Sequence, residues 1–372
     1  MKKIISLFLA LCMILTLVLA AVSCNSFTKL DETTDEETTA KKSTVENTTV
    51  EETTSEETTT EEAKEPSVGL KYQLRGDSYS VSGIGSCTDT DIVIPSTYDG
   101  IPVTSIRIEA FADCSTLTSI TIPNSVTRIG EAAFSKCSGL TSITIPDSVT
   151  SIGDWSFYKC RSLKSITIPD SVTSIGEAAF SECENLETLI VDAHNSNYYS
   201  DGNCIIEKST KTLIAGCKNS IIPNGVTTIG DSAFRYCTLL TGIIIPDSVT
   251  TINSRAFYGC SALTSIIIPD SVTAINPGVF CGCSALTSII IPDSVTTIGS
   301  MAFCDCSALT SIIIPDSVTS IGDHSFLNCE DLTNITFNGT REQWHSISFG
   351  ANWDYNTGNF VIHYTGGDIA EN

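Results

Sequence analysis

Along most of the chain, apolar side chains recur in a fixed rhythm separated by short polar steps. One unit reads Leu140-Thr-Ser-Ile143-Thr-Ile145-Pro146-Asp147-Ser148-Val149-Thr-Ser-Ile152-Gly153-Asp-Trp-Ser-Phe157-Tyr-Lys-Cys160. The Leu-x-x-Ile-x-Ile spacing predicts a short β-strand with alternate residues on a core. Pro146 lacks an amide hydrogen and ends that strand. Asp147 and Ser148 suit the turn that follows, because their side chains can bond nearby backbone. Val149-x-x-Ile152 predicts a second short extended piece. Gly153 is read as a residue taking positive φ. Asn253 and Asn276 stand at this place in other units, and Asn also tolerates that conformation. The segment around Phe157 and Cys160 predicts a short helical turn that closes the unit.

The unit repeats. Phe111, Phe134, Phe157 and Phe180 are each 23 residues apart, and so are Phe234, Phe257, Phe280, Phe303 and Phe326. The step between the two blocks is 54 residues, so one longer unit lies between them. A fixed period of this length predicts a repeat solenoid. No unit can bury its apolar side alone. Stacking joins Leu, Ile, Val, Phe and Cys into a continuous core. At about 5 Å per coil, roughly ten coils give a rod about 50 Å long.

The run Ile-Pro-Asp-Ser-Val-Thr-Ser-Ile-Gly, followed by Ala-Phe-x-x-Cys-x-x-Leu, is seen at Ile168 to Leu186 with one variation and recurs through the repeats. It resembles the BspA-like leucine-rich-repeat family of bacterial and protist surface proteins, over about residues 70–365. The resemblance implies a leucine-rich-repeat right-handed β-solenoid, a horseshoe-like rod with short strands and short helical turns. It also implies a role in surface adhesion or in host and matrix contact.

Within that frame, residues 68–104 are expected to form an N-terminal cap. Residues 105–334 are the repeats, with an irregular unit at 191–220 read as a β-hairpin projecting from the rod. Residues 335–372 are a C-terminal cap and tail, whose aromatic, non-repetitive sequence suits covering the last coil.

The N-terminus adds a location. Lys2 and Lys3 precede an uncharged apolar run from Ile4 to Val22, and Ala21-Val22-Ser23-Cys24 closes it. This pattern reads as a signal peptide over residues 1–24. It resembles the lipobox of bacterial lipoproteins, which implies lipidation of Cys24 and a lipid-anchored position on the outer face of the cell envelope. Ala21 stands where Leu is commonest. A plain cleaved signal, giving a secreted protein, and an uncleaved anchor helix are the alternatives. Residues 25–67 hold 13 acids and four lysines among Thr and Ser. Such a segment has too little apolar surface to offset chain entropy and is read as a disordered linker. The whole chain carries a net charge of −23. That argues against nucleic acid as a partner, since phosphate binding needs clustered Lys and Arg. Membrane contact is expected through the N-terminal lipid anchor only.

Sixteen cysteines are many for an exported chain. Cys114, Cys137, Cys160, Cys183, Cys237, Cys260, Cys283, Cys306 and Cys329 share one repeat position. A disulfide or metal ladder and a row of buried thiols are the two readings. Neighbouring coils place parallel Cβ atoms nearly 5 Å apart, beyond the roughly 3.8 Å that disulfides prefer, so buried thiols are favoured. Cys281 and Cys304 fall outside this pattern, directly after Phe280 and Phe303. They are candidates for a local disulfide, or for a metal site with Cys283 and Cys306, although Cys-x-Cys is not a strong zinc pattern. Cys204 and Cys217 flank the irregular unit and are candidates to pair. Asp147, Asp170, Asp247, Asp270, Asp293 and Asp316 recur after the proline. Calcium binding is weighed against bonding within each turn, and Asn124 and Asn224 at the same place favour the turn.

The outward strand position carries the candidate contact stripe. It holds Thr121, Thr144 and Thr167 in the first block and Ile244, Ile267, Ile290 and Ile313 in the second. Four aligned isoleucines on an exposed face mark a contact site, or a β-branched ladder that only stabilises the sheet. Catalysis has little support. His194, His324, His345 and His363 lie in no nucleophile motif, and there is no phosphate loop or His-Glu-x-x-His zinc motif. No enzyme, cofactor or resident metal is expected. The leading expectation is a cell-surface protein that binds an extracellular protein or glycan. The rivals are a structural envelope protein without a specific ligand, and a secreted hydrolase whose activity would depend on His345 or His363.

Overall fold

The computed structural model of the protein describes residues 64–365. The signal segment, Cys24 and nearly all of the Thr/Glu-rich linker lie outside the described residues. The described chain is a β-solenoid of about twelve turns with a period of about 23 residues.

The two extended pieces of successive coils pair in parallel along two separate faces of the solenoid, each face divided into more than one sheet. The Leu-x-x-Ile-x-Ile strands line one face. In the second block its sheet runs through Gly242–Ile244, Ser265–Ile267, Ser288–Ile290, Ser311–Ile314, Asn334–Phe337 and Val361–Tyr364. The shorter Val-x-x-Ile pieces line the other face, Ser151–Ile152 pairing with Ser174–Ile175 and Thr297–Ile298 with Ser320–Ile321. Register is one coil per rung, so Ile266 lies beside Ile243 and Ile312 beside Ile289. Leu140, Val149, Phe157 and Cys160 are wholly buried between the sheets and the turn edge. Phe111, Phe134, Phe157 and Phe180 stack face to face at 5.4–5.6 Å between ring centroids. Phe234 to Phe326 make a second stack at 5.2–5.8 Å.

The segment expected to be a helical turn is not helical. The amides of Tyr158 and Cys160 close tight turns onto Trp155 and Phe157, while those of Trp155, Phe157 and Lys159 cross to Glu177, Ala179 and Ser181 on the next coil. A helix would bond each amide beyond its first turn to the carbonyl four residues back. Alternation between the two partners instead puts Trp155 at φ 56° and Lys159 at φ 60°. The inter-coil bonds offset the cost of these left-handed residues.

Gly153 is likewise a correction. It does not have positive φ. A Cβ there would stand 2.5 Å from the amide nitrogen of Glu131 on the preceding coil, so glycine serves close backbone approach in this coil. Asn253 and Asn276 meet the same place with side-chain bonds back to the preceding coil, to Asp231 at 3.2 Å and to the Ile252 carbonyl at 2.7 Å. The turn serines also reach across coils. Ser148 and Ser171 donate to the carbonyls of Val126 and Val149 at 2.7 Å, while Asp147 and Asp170 point to solvent.

The irregular unit does not project. Tyr198–Asp201, Cys204–Glu207 and Thr212–Gly216 form an antiparallel meander, whose last strand continues in parallel onto Thr228–Ile229. Cys204, Ile205 and Ile206 are all fully buried. Ile205 packs into the core of the first block, and Cys204 and Ile206 into that of the second. The meander is therefore a seam between two cores. It lacks the phenylalanine turn. Ala132, Phe134 and Lys136 donate to the next coil, whereas the equivalent amides of Ala178, Phe180 and Glu182 have no such partner among the described residues. Gly216 stands in for the absent turn, donating to Ala233 at 2.9 Å.

At the first end, Lys71–Arg75 pairs antiparallel with Ser78–Gly83, which joins the sheet beside Ile101–Ile106. At the other, a short helix, Arg341–His345, starts from a Thr340–Gln343 capping box. It sets Trp344 against Phe337 and Trp353, and Trp353 lies edge-on over Phe326, the last ring of its stack.

Candidate functional site

The outer face of the strand sheet carries the residues that alternation pointed to. Thr121, Thr144 and Thr167 are exposed. Ile244, Ile267 and Ile290 are 58%, 37% and 45% exposed, and Ile313 is half-buried. Ile244 pairs with Ile267, Ile267 with Ile290, and Ile290 with Ile313, so the four form one continuous ladder. A strand passing between two sheets would bury such positions. Here they face outward because the pleat sends Ile243, Ile266, Ile289 and Ile312 into the core.

Two further isoleucines belong to this position. Ile221, 73% exposed, precedes Ile222-Pro223 as Ile244 precedes Ile245-Pro246. Ile190, 45% exposed, is the register partner of Thr167. The repeated Ile-Ile-Pro was a visible signal for Ile221. Ile190 lacks the proline, so only its pairing reveals it.

The turn edge bears a different chemistry at the seam. The Arg235 guanidinium lies over the rings of Trp155, Tyr236 and Tyr258 at 4.8–5.3 Å. Trp155 belongs to the first block and the two tyrosines to the second, so this cation–π cluster ties the blocks together. Beside it, Glu182 is buried and accepts from Tyr158 at 3.1 Å and Arg161 at 3.2 Å, with Lys159 at 3.4 Å. A cleft lined by Ala178, Phe180, Gly216 and Arg235 offers only about 10 Å³ to solvent, about enough for one water.

All the cysteines among the described residues are free thiols. Seven of the nine repeat cysteines donate to a phenylalanine carbonyl of the preceding coil, Cys160 to Phe134 at 3.1 Å for example, while Cys114 and Cys237, each first in its block, turn to Ala112 and Gly216. Burial pushes the thiols of Cys183 and Cys329 up to about 12. The irregular pair is also buried, and burial pushes Cys204 up to about 12. The four-cysteine arrangement of Cys281, Cys283, Cys304 and Cys306 does not form. Cys283 and Cys306 turn inward to the carbonyls of Phe257 and Phe280, at 3.3 and 3.1 Å. Cys281 and Cys304 converge with Asp305 instead. Hydrogen bonds from Cys304 and Tyr258 hold the Cys281 thiol below its ordinary range.

The histidines are dispersed. His345 donates to Arg341, His363 meets Asn334 and His194 meets Asp192. None of these contacts joins a histidine to a serine, cysteine or threonine nucleophile.

Two faces of parallel strands, one-coil register and an uncovered strand face define a leucine-rich-repeat solenoid. Residues 104–213 and 205–333 match the family described as BspA type leucine rich repeat region, in six copies. The chain belongs to that family. No curated protein matches it. A leucine rich cell surface protein from Faecalibacterium prausnitzii is similar at 29% identity over 76% of this chain and 97% of that one, with a TM-score of 0.53. A leucine-rich repeat protein from Eubacterium ventriosum is 25% identical over 78% and 93%, with a TM-score of 0.56. The pneumococcal vaccine antigen PcpA, at 18% identity, shares the fold, with a TM-score of 0.60 over 82% of this chain and 98% of that one. Among the described residues, no helix is long and apolar enough to cross a membrane.

Proposed function

We propose that this protein is a cell-surface recognition protein that binds an extracellular protein or glycan through the outer face of its strand sheet. The observation that carries this reading is the unbroken ladder Ile244, Ile267, Ile290 and Ile313, apolar and facing outward where a purely structural rod would gain solubility from polar residues. The exposed threonines Thr121, Thr144 and Thr167 extend the face with a polar half suited to hydrogen bonding. The similarity to a Faecalibacterium prausnitzii protein described as a cell surface protein supports the location. In this reading Cys24 is the lipid-anchored N-terminus and residues 25–67 hold the solenoid away from the membrane.

The test compares the mature chain with a variant carrying Ile267→Asp and Ile290→Asp. Retention on immobilised matrix proteins, mucin and intact neighbouring bacteria is measured, with circular dichroism as the folding control. Retention of the parent chain that the variant loses is the expected result. Equal retention of both, or retention of neither, would leave the ladder as a sheet-stabilising device and favour a structural envelope role.

A further inference from the structure

We propose that Cys281, Cys304 and Asp305 form a site for a thiophilic divalent cation of the zinc class. The two sulfur atoms and a carboxylate oxygen of Asp305 all lie within 4.8 Å of one another. A point within about 2.8 Å of all three then exists, so small side-chain rotations bring them to zinc bond lengths, roughly 2.3 Å to sulfur and about 2.1 Å to oxygen. The Cys304 sulfur is 3.3 Å from Asp305 Oδ2. Tetrahedral zinc with those bonds would set that edge at about 3.6 Å, a difference of a few tenths of an ångström.

Packing does not account for these two thiols. Seven of the nine repeat cysteines fill the core and satisfy phenylalanine carbonyls. Cys281 and Cys304 sit elsewhere, at the place where other coils carry Ala112, Ser135, Tyr158 or Leu327. Only these two consecutive coils put sulfur there, and only the second follows it with an acid. Both thiols are buried and Asp305 is exposed. The soft ligands are therefore dry, while the hard one stands on the rim, where an ion and its remaining water would enter.

The surroundings hold this arrangement. Asp305 Oδ1 accepts from Asn328 Nδ2 at 2.7 Å, which turns Oδ2 toward Cys304. Metal-binding carboxylates are commonly oriented in this way. Gly259 and Gly282 take the place of Asp305 on the two preceding coils, so no side chain from that position covers the site. Two thiolates and a carboxylate around a divalent ion leave one excess negative charge, and the Arg235 cation acts on Cys281 from nearby. A direct disulfide is the less suited alternative. In-register positions of parallel coils hold their Cβ atoms about 5 Å apart, beyond the roughly 3.8 Å that a disulfide prefers, whereas an ion bridges the gap.

The experiment uses the mature chain, reduced and stripped of metal. Zinc is titrated against a chromophoric chelator, and cobalt is added separately to look for a thiolate-to-cobalt charge-transfer band. One tightly held ion per chain and a charge-transfer band are expected. Both should vanish in the variant Cys281→Ser/Cys304→Ser. Asp305→Asn, an exposed change that leaves the core untouched, should weaken zinc binding about tenfold while the band persists. Asn328→Ala should weaken it about 10–100-fold. Absence of stoichiometric uptake, uptake unchanged in the double serine variant, or a Cys281–Cys304 disulfide in protein isolated without reductant would overturn the proposal.

Discussion

The thiol of Cys160 donates to the backbone carbonyl of Phe134 on the preceding coil, at 3.1 Å. That carbonyl already accepts the amide of Cys137, so the sulfur occupies its second lone pair. The bond recurs with Cys137 on Phe111, Cys183 on Phe157, Cys306 on Phe280 and Cys329 on Phe303. Cysteine is thus kept here as a small apolar filler with one weak donor. Cys160→Ala removes both the volume and the donor, and is expected to cost about 1–3 kcal/mol. Urea unfolding of the reduced chain measures it. A midpoint within error of the parent would mean that the bond contributes nothing.

The same burial makes stability depend on alkali. Cys183 and Cys329 hold their protons up to about 12, raised from an ordinary 9.0. Below pH 9 both the folded and unfolded chains keep these protons, and the thiols contribute in full. Above it the unfolded chain releases them while the folded chain does not, so stability falls until about pH 12. The expected slope is about 1 kcal/mol per pH unit for each such thiol. Cys183→Ala should make the decline shallower by one proton when unfolding is followed from pH 8 to 11 under reductant. An unchanged slope would show that this thiol does not titrate with unfolding.

Period and alternation made the repeat legible, because each coil meets the same neighbours and must use the same residue types. They also located the outward stripe, since strand pleating leaves no choice of face. What they could not convey was how atoms meet between coils. Gly153 looked like a residue needing positive φ, yet its reason is a backbone 2.5 Å from where its Cβ would stand. The left-handed positions fell on Trp155 and Lys159, residues with no such preference, because inter-coil bonding overrode local propensity. The meander was hidden for a similar reason. Cys204-Ile205-Ile206 reads as an ordinary strand with its alternation lost, and only the presence of a core on both sides explains three buried residues in a row. Asp305 escaped notice because exposed aspartates are common and its nearness to two thiols is a property of stacked coils.

Gly216 is expected to be a sensitive glycine of the seam. A Cβ at this position would fall 2.0 Å from Cε1 of Phe234, within the ring's own volume. The ring opens the second phenylalanine stack and cannot retreat without disturbing Phe257 behind it. Gly216→Ala should therefore cost about 1–3 kcal/mol or more, and it should uncouple the two cores so that thermal unfolding broadens or splits. Gly242 supplies the control. Nothing lies within 4 Å of its Cβ position, and its φ is not positive, so Gly242→Ala should be neutral or slightly stabilising. Calorimetry of the two variants separates them, and equal melting temperatures would refute the seam as described.

Ile266 and Ile267 are adjacent in sequence and opposite in consequence. Ile266 is 4% exposed inside the second core, and Ile267 is 37% exposed on the outer ladder. Ile266→Ala leaves a cavity among close-packed neighbours and should cost about 2–5 kcal/mol. Ile267→Thr keeps β-branching and removes only part of an outward apolar surface, so it should cost less than about 1 kcal/mol. Yet Ile267→Thr is the change expected to weaken ligand retention, because it breaks the ladder between Ile244 and Ile290. Chemical denaturation and a retention assay on the same pair of proteins therefore give crossed results. If Ile267→Thr proves as destabilising as Ile266→Ala, the outer isoleucines are part of the packed structure, and their exposure is not evidence of a partner.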